Sequence, residues 1–521
     1  MADRFSGPRE QAGKEDYDLL PYPSMPFAYT QPARLAALTE LFGFTAPEAS
    51  EARVLELGCA SGGNIIPLAA RYPRARFLGV DLSERHIEEG RKRIRALGLA
   101  NIELQQADFT KLDCGSQPFD YLICHGVFSW VPRQAQDAIF QICTDVLAAY
   151  GVAAISYNVL PGWHLRKIVR DICVHHVGPD DPPRVRVAKA RKALELIAGS
   201  LKETNAYGLL IRDEARRLAG RPAAYIMGEF LAADNSPCYF QDFVERAKAC
   251  NLTYLCEGDL NASIPEIQDP EIRRRNRLLA GSNHLALEQC IDFFTGRTFR
   301  RSILVRSEHA ASIKRDRSFE RLRSLHFASA AGRPSPSSDS VSAAIPNQRR
   351  SFIPKKTLLE ATLHGLVDAY PATLTYEELF AAIKSKVPQA SGKAISGAVF
   401  ALVLSGQATA STLASSVGRA TAMPGVWRLA RLEAAEKQPW VSNLNHAPVP
   451  LQRLPVALLG YLDGSRDRKA LRPLVVQALR DGAIEAGAEL RDRSPAQLES
   501  AADHYIGRAL AQLENHALLE P

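Results

Sequence analysis

The stretch VLELGCASGGNI, Val54 to Ile65, carries a short apolar run with one acid, Glu56, into a turn holding three glycines, Gly58, Gly62 and Gly63. A strand that enters a glycine loop and then a helix brings backbone N–H groups close to a ligand. The loop can be stretched to the G-x-G-x-x-G dinucleotide pattern, with Ala60 in place of the middle glycine. Two features argue against a pyrophosphate. Glu56 sets a carboxylate beside it, and like charges at close range are costly. Pro67 is tolerated only in a first helical turn, so with Asn64 as cap the helix starts too late to cradle phosphate. S-adenosylmethionine meets neither obstacle: it has no phosphate, and its ammonium and sulfonium suit the acid at Glu56. The glycines, with Ala60 between them, let the backbone approach the amino-acid part of such a cofactor without a Cβ clash.

Downstream, strands alternate with amphipathic helices. ARFLGV leads to a helix over 83–97, NIELQQA and FDYLICHG follow, then a helix over 133–149 and the strand VAAISYN. Regular interleaving predicts parallel pairing in a three-layer α/β sheet. Asp81 ends the second strand, beside Leu82, where its oxygens can accept from both ribose hydroxyls. Asp108 closes the third strand, able to accept from the adenine amino group, with Phe109 to cover the ring. As single residues, such aspartates serve more often as caps and turn formers. In order and at βαβ spacing, the three acids line the sheet edge where open α/β folds bind ligands.

The acceptor is expected over the ends of strands four and five, in CHGVFSWVP and SYNVLPGWH. Methyl transfer needs alignment first and a base only for some acceptors. A lysine amine must lose its proton, which at pH 7 costs about 4–5 kcal/mol. Desolvation and a nearby cation lower that cost. Tyr157 or Asn158 can hold the amine, His125 is a candidate proton acceptor at the edge of the cofactor site, and Trp130 and Trp163 are candidate walls. Each has a plain packing alternative. Cys173, His175 and His176 lack a second cluster at metal-ligand spacing, so no metal is expected.

At 521 residues the chain exceeds one compact core. Its 46% hydrophobic and 23% charged content is ordinary for a globular protein. No apolar run approaches the length of a membrane span, and the polar start MADRFSGPREQAGKED lacks a signal-peptide core. Nine cysteines without a C-x-x-C pair suit reduced thiols, so a cytoplasmic location is expected. A net charge of +7 without a concentrated basic face disfavours nucleic acid as the partner. The expected divisions are an N-terminal segment over 1–45, a cofactor-binding domain over 46–165 and a helical domain over 166–327. A Ser/Ala/Pro-rich linker over 328–350 and a C-terminal domain over 351–521 follow. Helical sequence is read from Leu165 to about Ala280, with a strand candidate at FRRSILVRS. TYEELFAAIKSKV and SGKAISGAVFALVLSGQATA read as the helix pair and β element of a winged helix.

Together, YDLLPYPSMPF, LELGCASGGNIIPLA, GVDLS, FDYLICHGVFSWVP and SYNVLPGWHLRKIVRD resemble bacterial class I methyltransferases that carry a methyltransferase regulatory domain. EFLAADNSPCYFQDFVERAKACNLTYL and LEQCIDFFTGRTFRRSILVR match the regulatory part. The resemblance extends to rickettsial lysine methyltransferases that act on outer membrane proteins, and WVSNLNHAPVPLQRLPVALLGYLDGSRDRKAL looks like their tail domain. It implies a Rossmann-like catalytic sheet, a central helical regulatory domain and a C-terminal winged-helix-like domain. It further implies S-adenosylmethionine held by Glu56, Gly58, Asp81 and Asp108, with Tyr17, Tyr22 and Thr30 folding over the site. A protein substrate, such as a surface protein, follows from the same likeness. Gly228 precedes Glu229 where the relatives are expected to carry His-Glu. Two other readings stay open: methylation of a small molecule or cell-envelope component, and a non-catalytic regulator that only senses the cofactor.

Overall fold

The structure, a computed structural model, describes residues 19–521 apart from 21, 113–114, 116, 179, 264–269, 317, 332–356, 416 and 485–493. Tyr17 and most of the expected linker lie outside the described residues.

Five strands form the parallel part of one sheet: β1 (Arg53–Leu57), β2 (Arg76–Asp81), β3 (Ile102–Gln106), β4 (Phe119–Cys124) and β5 (Leu147–Asn158). β6 (Leu252–Glu257) and β7 (Phe299–Arg306) extend it antiparallel, giving the order β3-β2-β1-β4-β5-β7-β6. The order reverses between β1 and β4, which opens a crevice beyond their C-terminal ends. In β1 the residues Val54, Leu55 and Leu57 are fully buried, as expected of a parallel strand covered on both faces. Glu56 is equally sequestered, and that exception marks the crevice. The covering helices include Ile65–Arg71, Glu84–Leu97 and Arg133–Val146. Ser83 caps the second by accepting from the His86 amide, and Gly98 at φ +68° ends it in the left-handed conformation.

The expectation of continuous helix to about Ala280 needs correcting. Leu252–Glu257 is a strand, and with Phe299–Arg306 it belongs to the same sheet as β1–β5. A stretch as short as LTYLCE does not distinguish a buried strand from a buried helix by periodicity. Helices Gly162–His175, Pro183–Ser200 and Ala206–Ala219 form the central layer around Val169, Leu194, Ile211 and Phe230.

The junction of β6 and β7 is held by a buried ion cluster. The fully buried Arg300 guanidinium donates to both oxygens of Asp292 at 2.9 Å, to Glu257 Oε1 at 2.9 Å and to Glu288 Oε2 at 3.1 Å. It lies over the Phe240 ring at 4.0 Å.

The C-terminal third contains two small β units. Strands His326–Ala328, Leu374–Thr375 and Thr409–Ser411 form one, packed with helices Thr357–Ala369, Tyr376–Lys386 and Gly392–Leu404. The hairpin Trp440–Ser442 with Pro448–Pro450 forms the other, beside helix Arg428–Ala435. This second unit docks on the catalytic layer. Arg428 donates to the Ala96 and Leu97 carbonyls, at 2.8 and 3.2 Å, and Glu436 pairs with Arg93 at 2.9 Å.

Candidate functional site

At the mouth of β1 the chain turns sharply. Gly58 and Gly62 sit at φ +71° and +77°, and Ala60 also adopts a left-handed φ of +48°. A Cβ on Gly58 would lie 2.3 Å from Val127 Cγ2, so glycine is what lets the β1 and β4 ends meet. The Ala60 amide donates to Asp81 Oδ2 at 2.8 Å and the Ser83 amide to Asp81 Oδ1 at 2.9 Å. Asp81 thereby pins the glycine loop to the end of β2. Leu82 follows it, half exposed, its carbonyl accepting from Gln106 Nε2 at 3.3 Å.

Asn64 is the hub. Its Nδ2 donates to Glu56 Oε1 at 2.7 Å, while its Oδ1 lies 2.9 Å from the Phe27 amide and 3.0 Å from Thr30 Oγ1. Glu56 Oε2 is buried and has no hydrogen-bond partner among the described residues. Burial, with a smaller push from the Asp81 charge, raises the Glu56 carboxyl to about 8 against the opposing pull of Asn64.

Residues 22–30 form a strap over this loop. The Gly63 amide donates to Ser24 Oγ at 2.8 Å, and a Cβ on Gly63 would strike the Ser24 backbone at 2.3 Å. Tyr22 packs where Gly228 leaves room, since a Cβ there would come 2.8 Å from its ring. Glu229 then lies within reach of the Tyr22 hydroxyl and of Arg166, 3.8 Å away. Farther along, the Tyr29 hydroxyl and His125 Nδ1 are 2.7 Å apart and share one hydrogen bond. The His125 ring is walled by Phe27 at 3.8 Å, Tyr29 at 5.3 Å and Phe299 at 5.9 Å between centroids. Burial and the Arg301 charge hold His125 well below the usual histidine range, and burial raises Tyr29, so both are neutral near pH 7.

The structure therefore brings Glu56, Gly58, Ala60, Gly62, Asn64, Asp81, Thr30 and His125 around one crevice. Asp108 closes β3 on the same edge but is exposed. Its Oδ1 accepts from the Thr110 amide at 2.9 Å, capping the short turn that carries Phe109. Asn158 ends β5 with its Nδ2 buried and unpartnered among the described residues. Tyr157, expected to hold an amine beside it, faces the other way. Successive β5 side chains alternate faces, and Tyr157 stacks on Phe243 at 3.9 Å with its hydroxyl 3.1 Å from Ser302 Oγ. Trp163 is fully buried edge-to-face against Trp130 at 5.8 Å, with Arg166 over its ring at 5.1 Å. Ser24, Phe27, Tyr29, Phe299 and Arg301 were not singled out in the sequence. Tyr29 had one usable signal: it stands beside Thr30 in the proline- and tyrosine-rich segment read as a cover.

Comparison with known proteins identifies the domains that carry this layout. Residues 54–151 match the family described as a methyltransferase domain, residues 222–306 a predicted methyltransferase regulatory domain, and residues 423–518 the PKMT C-terminal winged helix domain. An uncharacterized protein of Rickettsia prowazekii is 31% identical over 493 residues, covering 92% of this chain and 88% of its own. A second from that organism is 34% identical over 240 residues, 46% of this chain and 96% of its own. The solved structure of PKMT2 from Rickettsia typhi superposes with a TM-score of 0.81 at 25% identity, covering 96% of this chain and all of that one. The same protein solved in complex with AdoHcy gives a TM-score of 0.81 at 24% identity, again covering 96% of this chain and 100% of that one.

Proposed function

This chain belongs to the bacterial class I S-adenosylmethionine-dependent methyltransferases that carry a methyltransferase regulatory domain, and from that premise we propose that it methylates lysine side chains of a protein. The observation that carries the donor end is the bare, buried Oε2 of Glu56. A carboxylate in that position calls for a cation, because burying it unpaired is costly. When bound, S-adenosylmethionine supplies a methyl group activated on a sulfonium. Glu56 and the glycine loop hold its amino-acid part, and Asp81 accepts from the ribose. Asp108 and Phe109 serve the adenine.

On the acceptor side, the neutral His125–Tyr29 pair and the free amide of Asn158 stand at the ends of β4 and β5. An ammonium entering this apolar, aromatic surround is desolvated, which favours its neutral form. Asn158 orients the nitrogen through its carboxamide oxygen, which accepts an amine N–H and leaves the lone pair for the methyl. The winged-helix match to PKMT and the overall likeness to PKMT2 support a protein acceptor. Among the described residues no helix is long and apolar enough to cross a membrane.

The test supplies radiolabelled methyl donor and purified enzyme to a lysate from a deletion strain, with protein and small-molecule fractions counted separately. Label in protein, recovered as methyl-lysine after hydrolysis, is expected. Label confined to small molecules contradicts the lysine reading.

Glu56 also sets a pH dependence. Its carboxyl titrates at about 8 in the fold against 4.5 in the free residue. Between those values the native protein keeps a proton that the unfolded chain has lost, so this group's contribution to stability falls as pH rises. Donor binding needs the ionised form. Below pH 8, binding should therefore release close to one proton, and affinity should climb with pH towards 8. Calorimetry in buffers of different ionisation enthalpy reads this directly. Glu56→Gln should bind more weakly and release none; a wild-type protein releasing no proton at pH 6.5 contradicts the assignment.

A further inference from the structure

The Asn64 carboxamide is also reached from the far end of the chain. His446 Nε2 lies 2.9 Å from Asn64 Oδ1, and His446 is 2% exposed. It comes from the tip of the C-terminal hairpin, a tip built to present it. Asn443 Oδ1 accepts from the amides of Asn445 and Ala447, at 3.0 and 2.8 Å, and Asn443 Nδ2 donates to the His516 carbonyl at 3.0 Å. Within that clamp His446 adopts a left-handed φ of +57°. Such a conformation is uncommon for a residue with a Cβ, and strain of this kind persists where the surroundings impose it, often at functional sites.

The hydrogen-bond roles can be assigned by elimination. The Phe27 amide can only donate, so the atom it meets on Asn64 is the oxygen, and Nδ2 faces Glu56. His446 Nε2 meets the same oxygen, so it carries a hydrogen and donates. Burial and the charges of Arg34 and Arg71 hold His446 down to about 3, so this neutral donor persists across the neutral range. With the Phe27 amide and His446 Nε2 both donating to Oδ1, beside the Thr30 hydroxyl at 3.0 Å, the carboxamide cannot turn over without placing its NH2 against two N–H groups. Nδ2 is thereby fixed on Glu56 Oε1, and Oε2 is left as the bare oxygen.

We propose that the C-terminal winged-helix region completes the donor pocket, with His446 as a positioning residue that locks Asn64 and so orients Glu56. This rests on the reading of Glu56 as the donor's anionic anchor. It gives the C-terminal region a role beyond recognising an acceptor: its docking and donor binding stabilise each other, because such coupling is reciprocal.

The experiment uses the full chain and S-adenosylhomocysteine as the titrant in calorimetry. H446N keeps a residue that tolerates the left-handed backbone but stops short of Asn64. H446Q restores reach and an N–H donor. H446N is expected to bind about five- to tenfold more weakly, the loss of one buried hydrogen bond, with the donor-free protein still folded by circular dichroism. H446Q is expected to return affinity to within about twofold of wild type. Equal affinity in H446N and wild type overturns the inference, as does a loss that H446Q fails to recover. If wild type itself does not bind, the reading of Glu56 falls and this inference falls with it. Binding by wild type with no change in H446N removes this inference alone.

Discussion

Asp81→Ala is expected to weaken binding of S-adenosylhomocysteine by about a hundredfold or more while the sheet stays folded. Two losses combine. The carboxylate proposed to accept from the ribose disappears, and bonds to a charged group are each worth about 1.5–3 kcal/mol. The same residue pins the glycine loop through Ala60 and Ser83 at 2.8 and 2.9 Å, so the loop that shapes the pocket loses its tether. Asp81→Asn separates the two, since the amide keeps a carbonyl oxygen but not the charge. Calorimetry for affinity and circular dichroism for the fold read both effects. Unchanged affinity in the Ala variant contradicts the placement of the pocket.

The second large effect is on stability. Arg300→Met is expected to cost about 3–5 kcal/mol, because removing one partner of a buried ion cluster leaves uncompensated charge behind. Here the orphans are Glu257, Asp292 and Glu288, which Arg300 now binds at 2.9, 2.9 and 3.1 Å. The Arg300 charge holds Glu257 below its usual range against the upward push of burial. Without that cation the carboxylates take up protons more readily, so the deficit should shrink as pH falls. Urea unfolding at two pH values measures this. A loss under 1 kcal/mol at neutral pH would mean that water or Arg297 already compensates these acids. Because β7 carries Phe299 and Arg301 to the aromatic surround of His125, the variant should also lose activity in proportion to unfolding.

The catalytic half of the fold was legible for a simple reason: strands β1 to β5 and their helices are local patterns, each bounded by its own turn residues. The glycines and Glu56 announced the crevice because a buried acid beside a glycine turn is hard to explain as packing. What lay beyond reach was the meeting of distant segments. Tyr29 meets His125 across 96 residues and His446 meets Asn64 across 382, and no local periodicity encodes such contacts. The face of Tyr157 was illegible for another reason. In VAAISYN both faces are buried, so alternation exists but nothing in the residues says which side holds the pocket. Asp108 shows the limit from the opposite side, for its capping of Thr110 is the ordinary use of such an aspartate and coexists with a place on the ligand edge.

The most direct measurement is a crystal structure of the full chain soaked with sinefungin, a stable cationic analogue of the donor. The account predicts its ammonium group on Glu56 Oε2, its ribose on Asp81, and Asn64 still bridging Glu56 to His446. Sinefungin bound elsewhere, or a crevice that stays empty at saturating concentration, would contradict it.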